Sequence, residues 1–297
     1  MFDLRYHVAS LAAVFLALII GILVGVGITR GGFVSKAERS VLNAQIAELT
    51  GQRDSARQQI GQVKQEEQAA QDYVEATYPA LMADRLKAKK IVLVSVGKID
   101  PGVQSNVIQA LRDAGAPYPL RIRALKVPVD DTALDGALAG HPALAQYHGT
   151  AKLPDLGRAL ASELVKGGKT PLWDSLASEL VSEQVGANHP AADGVVVARS
   201  VKAQKDATAH FLQGFYSGLA GSSVPAVGVD VQGAAAPAIP AFERSHLSTV
   251  DSIDTPTGRL ALALLLAGAE QGNYGQESTA SDGVLPLVTT QTTTTSG

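Results

Sequence analysis

The feature that most constrains this chain is an apolar run near its amino terminus. Val8–Ile28 reads VASLAAVFLALIIGILVGVGI, which is 21 residues without a charge. At ~1.5 Å per residue, a helix of this length spans roughly 30 Å, the thickness of the hydrocarbon core of a bilayer. The run therefore predicts a transmembrane helix within an anchor segment formed by residues 1–30.

A cleaved secretion signal is the competing interpretation of this run. The apolar core of such a signal is usually about 7–15 residues long, which is shorter than the run observed here. In addition, Gly27-Ile28-Thr29 is a poor match to the small-residue pattern of a cleavage site. We therefore favour an uncleaved, single-pass anchor.

Flanking charge leaves the orientation of this anchor open. Arg5 precedes the run, whereas Arg30, Lys36 and Arg39 follow it. Basic residues prefer the cytoplasmic side, so this count alone would place the large domain in the cytoplasm. Glu38 lies among the following basic residues, and large domains translocate despite modest flanking charge.

Gly21 and Gly25 form a GxxxG pair inside the apolar run. Glycines at this spacing let two transmembrane helices approach closely, which makes the pair a candidate helix-dimer motif. The alternative is that both glycines are simply tolerated in an apolar helix.

Residues 34–77 carry the pattern of a coiled-coil stalk. Apolar residues recur there in alternating steps of four and three, the 3.5-residue period of a coiled coil. The seam positions are Leu42, Ile46, Leu49, Ala56, Ile60, Val63, Ala70 and Val74, interrupted by Arg53 and Glu67. So narrow a stripe needs a second helix, most simply from another copy of the chain, which predicts a homodimer. A helix that folds back onto its own domain is the alternative.

Residues 78–286 are expected to form an α/β domain. Tyr78-Pro79 is predicted to end the stalk, and a short linking helix then leads to the continuous apolar strand Ile91–Val96. Further strands are predicted at Leu120–Val127, Gly194–Ala198 and Val224–Val229. Helices are predicted at Pro101–Gly115, Asp155–Val165, Leu172–Val185, Gln204–Leu219 and Thr257–Ala269. This alternation favours a doubly wound, mainly parallel sheet of the Rossmann or flavodoxin type.

Charge and motif searches point away from nucleic acid and from catalysis. Lys and Arg number 25 against 28 Asp and Glu, so no basic surface implies a nucleic-acid partner. Gly168-Lys169-Thr170 imitates the end of a P-loop, but Glu163 stands where the first glycine is required. The strand ending at Val96 precedes no GxGxxG, and Ser217 lies in no GxSxG elbow. We therefore predict no enzymatic activity and no catalytic residues.

A ligand cleft in such a domain would lie beyond the carboxyl ends of the strands. The residues expected to converge there are Gly97, Lys98, Asp251, Asp254 and Thr255. The alternative for the two aspartates is hydrogen bonding within the loop and capping of the last helix, and we prefer this alternative.

Both ends of the chain resemble the actinobacterial copper transporter family. The similar segments are FDLRYHVASLAAVFLALIIGILVGVGI at Phe2–Ile28, LSTVDSIDTPTGRLALALLLAG at Leu247–Gly268, Asn273-Tyr274-Gly275 and Leu285-Pro286. The resemblance is colinear over nearly the whole chain. The Thr-rich tail, residues 287–297, falls outside it and is expected to be disordered.

The resemblance implies an envelope protein of the cell membrane that acts in copper homeostasis or efflux. It also implies a cytoplasmic amino terminus and an extracytoplasmic domain, and we adopt that orientation on this basis. Related members are tied to cell-envelope maintenance and cell division, as coiled-coil partners of another membrane protein.

Copper ligands are scarce in the sequence. Copper(I) prefers thiolate and thioether ligands, yet the chain has no cysteine and only Met1 and Met82. Its six histidines form no HxH or HExxH motif; they are His7, His141, His148, His189, His210 and His246. We therefore predict no metal site and no cofactor, and copper enters by resemblance alone. Two functions follow: a copper-homeostasis protein that assists copper handling without conducting the ion, or a dimeric scaffold or regulator of the envelope.

Overall fold

The computed structural model describes residues 4–30 and 36–287. The chain divides between Ala70 and Gln71 into two compact units. The first unit contains helix α1, Leu4–Arg30, and most of helix α2, which runs over Lys36–Met82. The second unit contains the carboxyl end of α2 and the α/β domain.

Helix α1 contains the predicted membrane span. Its segment Val8–Val26 has a mean hydropathy of 2.8, and none of it is buried. Within the described ranges it is the one helix that is long and apolar enough to cross a bilayer. The length and composition of this helix are those expected of a membrane protein.

Helix α2 does not end at Tyr78-Pro79 as the sequence predicts, but continues through Pro79 to Met82 without a separate linking helix. A proline inside a helix removes one backbone hydrogen bond and crowds the preceding turn. Packing against the domain offsets this cost, because Tyr78 Oη donates to Asp113 at 2.8 Å and Met82 is fully buried. The turn after Pro79 is closed by the amide of Ala83, which donates to the Pro79 carbonyl at 3.1 Å.

The described residues of the domain form one seven-stranded sheet. Its strands are β1 Ile91–Val96, β2 Arg121–Leu125, β3 Val181–Val185, β4 Gly194–Arg199, β5 Ala226–Val229, β6 Ser248–Val250 and β7 Asn273–Tyr274. They lie in the order β3-β2-β1-β4-β5-β6-β7, and only β3 pairs antiparallel with its neighbour. Leu93 in the centre of the sheet is in register with Ile122 on one side and Val196 on the other. The predicted doubly wound, mainly parallel architecture is confirmed.

Helices cover both faces of this sheet. They are α3 Pro101–Asp113, α4 Asp131–Ala139, α5 Leu153–Lys166, α6 Pro171–Leu180, α7 Asp206–Ala220, α8 Ile239–Glu243 and α9 Pro256–Leu266, with 3-10 turns at Pro142–Tyr147 and Thr150–Lys152. One core contains residues of α4 to α8 with alternate strand residues such as Val92, and the other contains α3, α9 and the end of α2 with their neighbours such as Leu93. Successive side chains of a strand point to opposite faces, so each strand contributes to both cores.

The region predicted as one helix, Leu172–Val185, divides into a helix and a strand. Helix α6 ends at Leu180, and Val181–Val185 becomes the antiparallel edge strand β3. The amide of Lys126 donates to the Leu180 carbonyl at 2.7 Å, so pairing with the end of β2 begins where the helix stops. Strand pairing across the chain therefore overrides the local helical pattern.

Candidate functional site

The glycine pair of α1 lies on an open helix surface. A Cβ atom added to Gly21 or Gly25 would meet no other residue within 4 Å. Both positions therefore leave room for close approach by another helix, as the GxxxG spacing requires.

The predicted stalk seam lies along α2 with its apolar side chains exposed. Ile46 is 53% exposed and Leu49 is 64% exposed, and Leu42, Ile60 and Val63 lie in the same range. Ala56 is also exposed, whereas Val74 is half-buried. Exposed apolar side chains at heptad spacing are typical of a helix that pairs with another.

The other faces of α2 are polar and form local hydrogen bonds. Gln52 Nε2 donates to Glu48 Oε1 at 3.3 Å, and Gln62 Nε2 donates to Glu66 Oε1 at 2.9 Å. Arg53, which interrupts the seam, forms an ion pair with its neighbour Asp54 at 2.8 Å. Such contacts between exposed residues contribute little to stability. The polar side chains that make them suit faces of the helix that remain exposed to water.

Gly97 and Lys98, the first half of the predicted cleft, lie beneath the loop that follows β4. Gly97 has a φ of +88°, and a Cβ atom there would lie 2.5 Å from Val201 Cγ1 and 3.0 Å from Ser200 Oγ. The Ser200 hydroxyl also donates to the Lys98 carbonyl. The carboxyl end of β1 is therefore covered by the loop that follows β4.

Asp251, at the end of β6, holds the segment that follows β7. Its side chain is 1% exposed, and its Oδ1 accepts from the amide of Gln276 at 2.9 Å. Its Oδ2 accepts from Glu277 N at 3.3 Å and from Thr279 Oγ1 at 2.6 Å. All these donors belong to the protein, and the contacts are those expected of a carboxylate that shapes a loop.

Asp254 and Thr255 also make local contacts. Asp254 Oδ1 accepts from the amide of Gln232 at 2.9 Å, and Thr255 caps α9 by accepting from Gly258 N at 3.0 Å. Strand β6 lies three strand positions from β1, which at about 4.8 Å per strand separates the two strands by roughly 14 Å. Asp251, Asp254 and Thr255 are neighbours in sequence, and each contacts a different segment, so these residues and Gly97 and Lys98 do not share one cleft.

Between these two groups, at the point where strand order reverses between β1 and β4, a small cavity lies at the carboxyl ends of the strands. Its volume is about 10 Å³, and Ser95, Asp100, Ser200 and Asp230 are among the residues that line it. A space of this size holds about one water molecule. This small cavity at the reversal point, where many open α/β proteins bind ligands, is too small for a nucleotide.

Asp100, Asp230 and Arg199 are the charged residues that line this small cavity. Asp230 is 7% exposed, and its carboxylate accepts from the amides of Val231 at 2.9 Å and Ala238 at 2.7 Å. Burial raises the pKa of Asp230, although these hydrogen bonds and the Arg199 charge act in the opposite direction. The carboxylate chiefly organises the loop after β5.

A pair of buried arginines on β2 was not anticipated from the sequence. Arg121 donates to the carbonyls of Ala187, Asn188, Leu164 and Pro190, at 3.2 Å for Ala187, 2.6 Å for Leu164 and 2.7 Å for Pro190. Burial, and secondarily the neighbouring Arg123, lowers the pKa of Arg121 to about 10, so the group stays charged at neutral pH. The signal that could have revealed it is the pattern Arg-Ile-Arg inside a strand, where charged residues are rarely buried.

Arg123 completes this cluster from the same strand. It donates to the carbonyls of Ile122 and Val185 at 2.7 Å, to Gly186 O at 2.8 Å and to Asn188 Oδ1 at 2.6 Å. Burial lowers the pKa of Arg123 as well. The two guanidinium groups together fix the loop of residues 186–190, and their role is structural.

The potential copper ligands are dispersed. Met82 is fully buried in the domain core, and His189 Nδ1 lies 2.8 Å from the Gly168 carbonyl. Across the described residues, no group of three or more His, Cys, Asp or Glu side chains is placed to hold a metal ion. His7 lies on α1, but its side chain is outside the described part of the structure, as is Met1. The donor set that the structure describes does not fit a copper centre.

An apolar helix of membrane-spanning length, a long helix and a mostly parallel α/β domain define the class: a membrane protein with one folded α/β domain. Residues 1–285 match the family described as "Copper transport outer membrane protein, MctB". The chain belongs to the MctB family. The resemblance noted at both ends of the sequence is thereby confirmed.

Two curated relatives give the degree of similarity. Proteins named "Copper transporter MctB" from Mycobacterium tuberculosis and Mycobacterium bovis are each 35% identical to this chain over 95 residues. The aligned stretch covers 31% of this chain and 28% of either relative. The chain thus spans less than one third of the length of the curated relatives it matches.

Proposed function

We propose that this chain is a non-enzymatic, single-pass envelope protein that takes part in copper homeostasis as a coiled-coil dimer and does not itself conduct the ion. The observation that carries this proposal is the exposed apolar seam of α2. Residues such as Leu49 and Ile60 remain in water unless a second helix covers them. A second copy of α2 would bury the whole seam at matching heptad positions.

Family membership supports a part in copper handling, while ligand chemistry argues against a copper site. The matched family and both curated relatives carry copper transport in their names. Copper(I) prefers sulfur ligands, and Met82 lies sealed in the core. A helical pore needs several spans, which a chain with a single span supplies only in an oligomer. An accessory role, exercised through another membrane protein, reconciles these observations.

We place the amino terminus in the cytoplasm and the α/β domain outside the membrane, following the family resemblance. The absence of cysteine allows a direct test, because an introduced cysteine is the only one in the chain. Lys169→Cys, at an exposed position, should react in intact cells with a maleimide that cannot cross membranes. Asp3→Cys should react only after the cells are permeabilised. The reverse pattern would refute this orientation.

A dimeric scaffold or regulator of envelope maintenance and cell division is the second candidate function. The same exposed seam favours it, since a coiled coil can recruit a partner as well as form a homodimer. This candidate requires no copper, so copper measurements separate the two.

The biochemical test measures assembly and copper binding on the same full-length chain in lipid nanodiscs. Copper(I) is titrated in competition with a chelator, and the number of chains per particle is determined by light scattering after size-exclusion chromatography. We expect a dimer that leaves copper(I) with the chelator. Tight stoichiometric binding would contradict the proposed accessory role, and a monomer would contradict the coiled-coil dimer.

Two pairs of substitutions with equal charge test the seam. Ile60→Glu with Val63→Glu places two carboxylates on the seam, whereas Gln58→Glu with Gln65→Glu places two on the opposite face of α2. We expect only the seam pair to abolish the dimer, because buried carboxylates without partners are costly.

The cellular test uses the same variants in a strain that lacks the protein. If the copper role is correct, this strain is sensitive to copper, and the Gln58/Gln65 pair restores resistance while the seam pair does not. An envelope or division defect with unchanged copper tolerance would instead support the scaffold.

A further inference from the structure

A second, larger cavity lies between α7 and α8, beside the carboxyl end of β4. Its volume is about 340 Å³, within the range of roughly 300–1,000 Å³ that is typical of ligand pockets. Its polar lining residues are Arg199, Gln204, Gln213, Tyr216, Arg244 and Ser245. This cavity is separate from the residues of the predicted cleft, and nothing in the proposed function depends on it.

The sequence builds this cavity from one face of α7 and the end of α8. Ala209, Leu212, Gln213 and Tyr216 follow the spacing i, i+3, i+4 and i+7, which places them on one side of the helix. Arg199 is the last residue of β4 and therefore lies at the sheet end of the cavity.

Tyr216 contributes a hydroxyl group that has no partner within the described structure. The side chain is 3% exposed, and its Oη forms no hydrogen bond there. Its ring packs edge-on against Phe242, with centroids 5.1 Å apart and an interplanar angle of 82°. The ring is thus packed within the domain core. A buried hydroxyl without a partner is destabilising, which a bound ligand atom would offset.

Arg199 contributes a cation with an unused donor. One Nη atom donates to the Pro237 carbonyl, while its buried Nε finds no partner among the described residues. The nearby Asp230 carboxylate already accepts two backbone hydrogen bonds. Arg244, at the exposed end of α8, is a second cation in the lining. Across the described residues, neither arginine forms an ion pair within 4.0 Å.

We propose that this cavity binds a small organic anion, whose carboxylate or phosphate group is held by Arg199 and Arg244. The planar guanidinium group matches the oxygens of such anions, and a bound oxygen would also supply the missing partner of Tyr216. Leu212 and Ala241 add apolar wall, which suits a ligand with a compact hydrocarbon or aromatic body. The ligand class is therefore a small aromatic or aliphatic acid or phosphate ester.

Three probes of nearly equal size test this assignment on the full-length chain in nanodiscs. Phenyl phosphate and benzoate carry the two candidate anionic groups, and benzyl alcohol is their neutral counterpart. Calorimetry should give saturable binding of one molecule per chain for at least one anion, with benzyl alcohol at least roughly tenfold weaker because it lacks a charge-assisted hydrogen bond. The preferred anion identifies the group that the site recognises.

Matched variants locate the site. Arg199→Gln should weaken the binding of the preferred anion by roughly tenfold or more, whereas Arg158→Gln, with the same charge change on the exposed surface of α5, should leave it unchanged. Tyr216→Phe keeps the ring packing, and should weaken anion binding severalfold while raising the melting temperature of the free protein.

The proposal is overturned if the folded wild-type chain binds neither anion, or binds benzyl alcohol equally well. It is also overturned if Arg158→Gln weakens binding as much as Arg199→Gln. Should Arg199→Gln fail to fold, as judged by circular dichroism, Tyr216→Phe decides: unchanged anion affinity in that folded variant would contradict the assigned cavity.

Discussion

Helices α2 and α9 both carry a series of apolar side chains, yet their surroundings are opposite. Every residue of α9 from Leu260 to Leu266 is buried, with exposures of 3% or less. On α2, the seam residues Ile46 and Leu49 are more than half exposed. The apolar surface of α9 is satisfied within its own domain, whereas that of α2 is left for a partner.

This difference separates two properties of the molecule. Substitutions in α9 remove contacts that stabilise the fold, so they should change the free energy of unfolding of the α/β domain. Substitutions on the α2 seam should change association instead. The single tryptophan, Trp173, is buried in the domain, so its fluorescence reports on unfolding of that domain.

The largest expected effect is at Gly258 in the first turns of α9. A Cβ atom there would overlap the carbonyl group of Ser252. We expect Gly258→Ala to destabilise the domain by more than about 4 kcal/mol or to prevent folding, because backbone on both sides must move. Gly61→Ala is the matched control on α2, where a Cβ meets nothing within 4 Å, and it should stabilise the helix by up to ~1 kcal/mol. Urea unfolding followed by Trp173 fluorescence and by circular dichroism measures both; equal effects would contradict the contrast between the helices.

Truncation of one leucine on each helix should give the next largest effect. Leu264→Ala in α9 is expected to cost about 2–5 kcal/mol, because it leaves a cavity in a closed core. Leu49→Ala should leave domain unfolding within roughly 0.5 kcal/mol of wild type, while weakening the dimer seen by light scattering. If the Leu49→Ala variant remained a stable dimer but its α/β domain unfolded more easily, the proposed division between α2 and α9 would be wrong.

The contrast between the buried domain and the exposed helix α2 extends to two arginines, Arg121 on β2 and Arg53 on α2. Arg121→Met would leave four backbone carbonyls without their donor, so we expect a loss of about 2–4 kcal/mol in the unfolding free energy. Arg53→Met on α2 removes an exposed pair with Asp54 and should change the unfolding free energy of the α/β domain by less than about 1 kcal/mol. Urea unfolding of both variants decides, and a neutral Arg121→Met would mean that the loop finds other donors.

The smallest expected effect is a pH dependence of domain stability. Burial raises the pKa of Asp230 and of Glu163, whose carboxylate accepts from the amides at the start of α6. Between the ordinary carboxyl pKa and these raised values, the folded state binds more protons than the unfolded state. These two groups therefore make stability fall as pH rises through that window, and the effect levels off above it.

Asp230→Asn should flatten part of this slope, whatever it does to the overall stability. The measurement is the urea midpoint at a series of pH values from about 4 to 8, a range chosen to cover ordinary and raised carboxyl pKa values. An unchanged slope in both Asp230→Asn and Glu163→Gln would show that neither carboxyl group titrates differently on folding.

The parts of the fold that the sequence predicts are those with a strong local pattern. Ile91–Val96 and Gly194–Ala198 are predominantly apolar runs, and both lie in central parallel strands whose residues are buried there. Pro101 is predicted to start α3, and it does so; the structure adds that Asp100 Oδ1 caps the helix by accepting from Val103 N at 2.9 Å. Helices α1 and α2 are also predicted from local patterns: α1 from the length of its apolar run, and α2 from the 3.5-residue period of its apolar residues.

The parts that the sequence does not predict depend on distant contacts. Strand β3 is polar and follows a helical pattern, and only its pairing with β2 makes it a strand. The three residues of β6 are too few to show any periodicity.

The candidate sites show the same limit. Thr255 could be recognised as a helix cap from its position before Pro256. The cavity lined by Arg199 and Tyr216 joins a strand end to a helix face, which no local pattern reveals.

The loop that follows β3 has an unusual freedom to change its sequence. Arg121 and Arg123 hold it mainly through main-chain oxygens, and every amino acid supplies such an oxygen whatever its side chain. Substitutions in the loop should therefore be tolerated, provided that it keeps its path, Gly186, whose φ is +78°, and Asn188, whose side chain accepts from Arg123. The two arginines cannot be replaced in this way, because no other side chain supplies the same set of donors. The residues that this contact requires are therefore the two charged residues of β2, which the sequence alone marks as least suited to the interior of a strand.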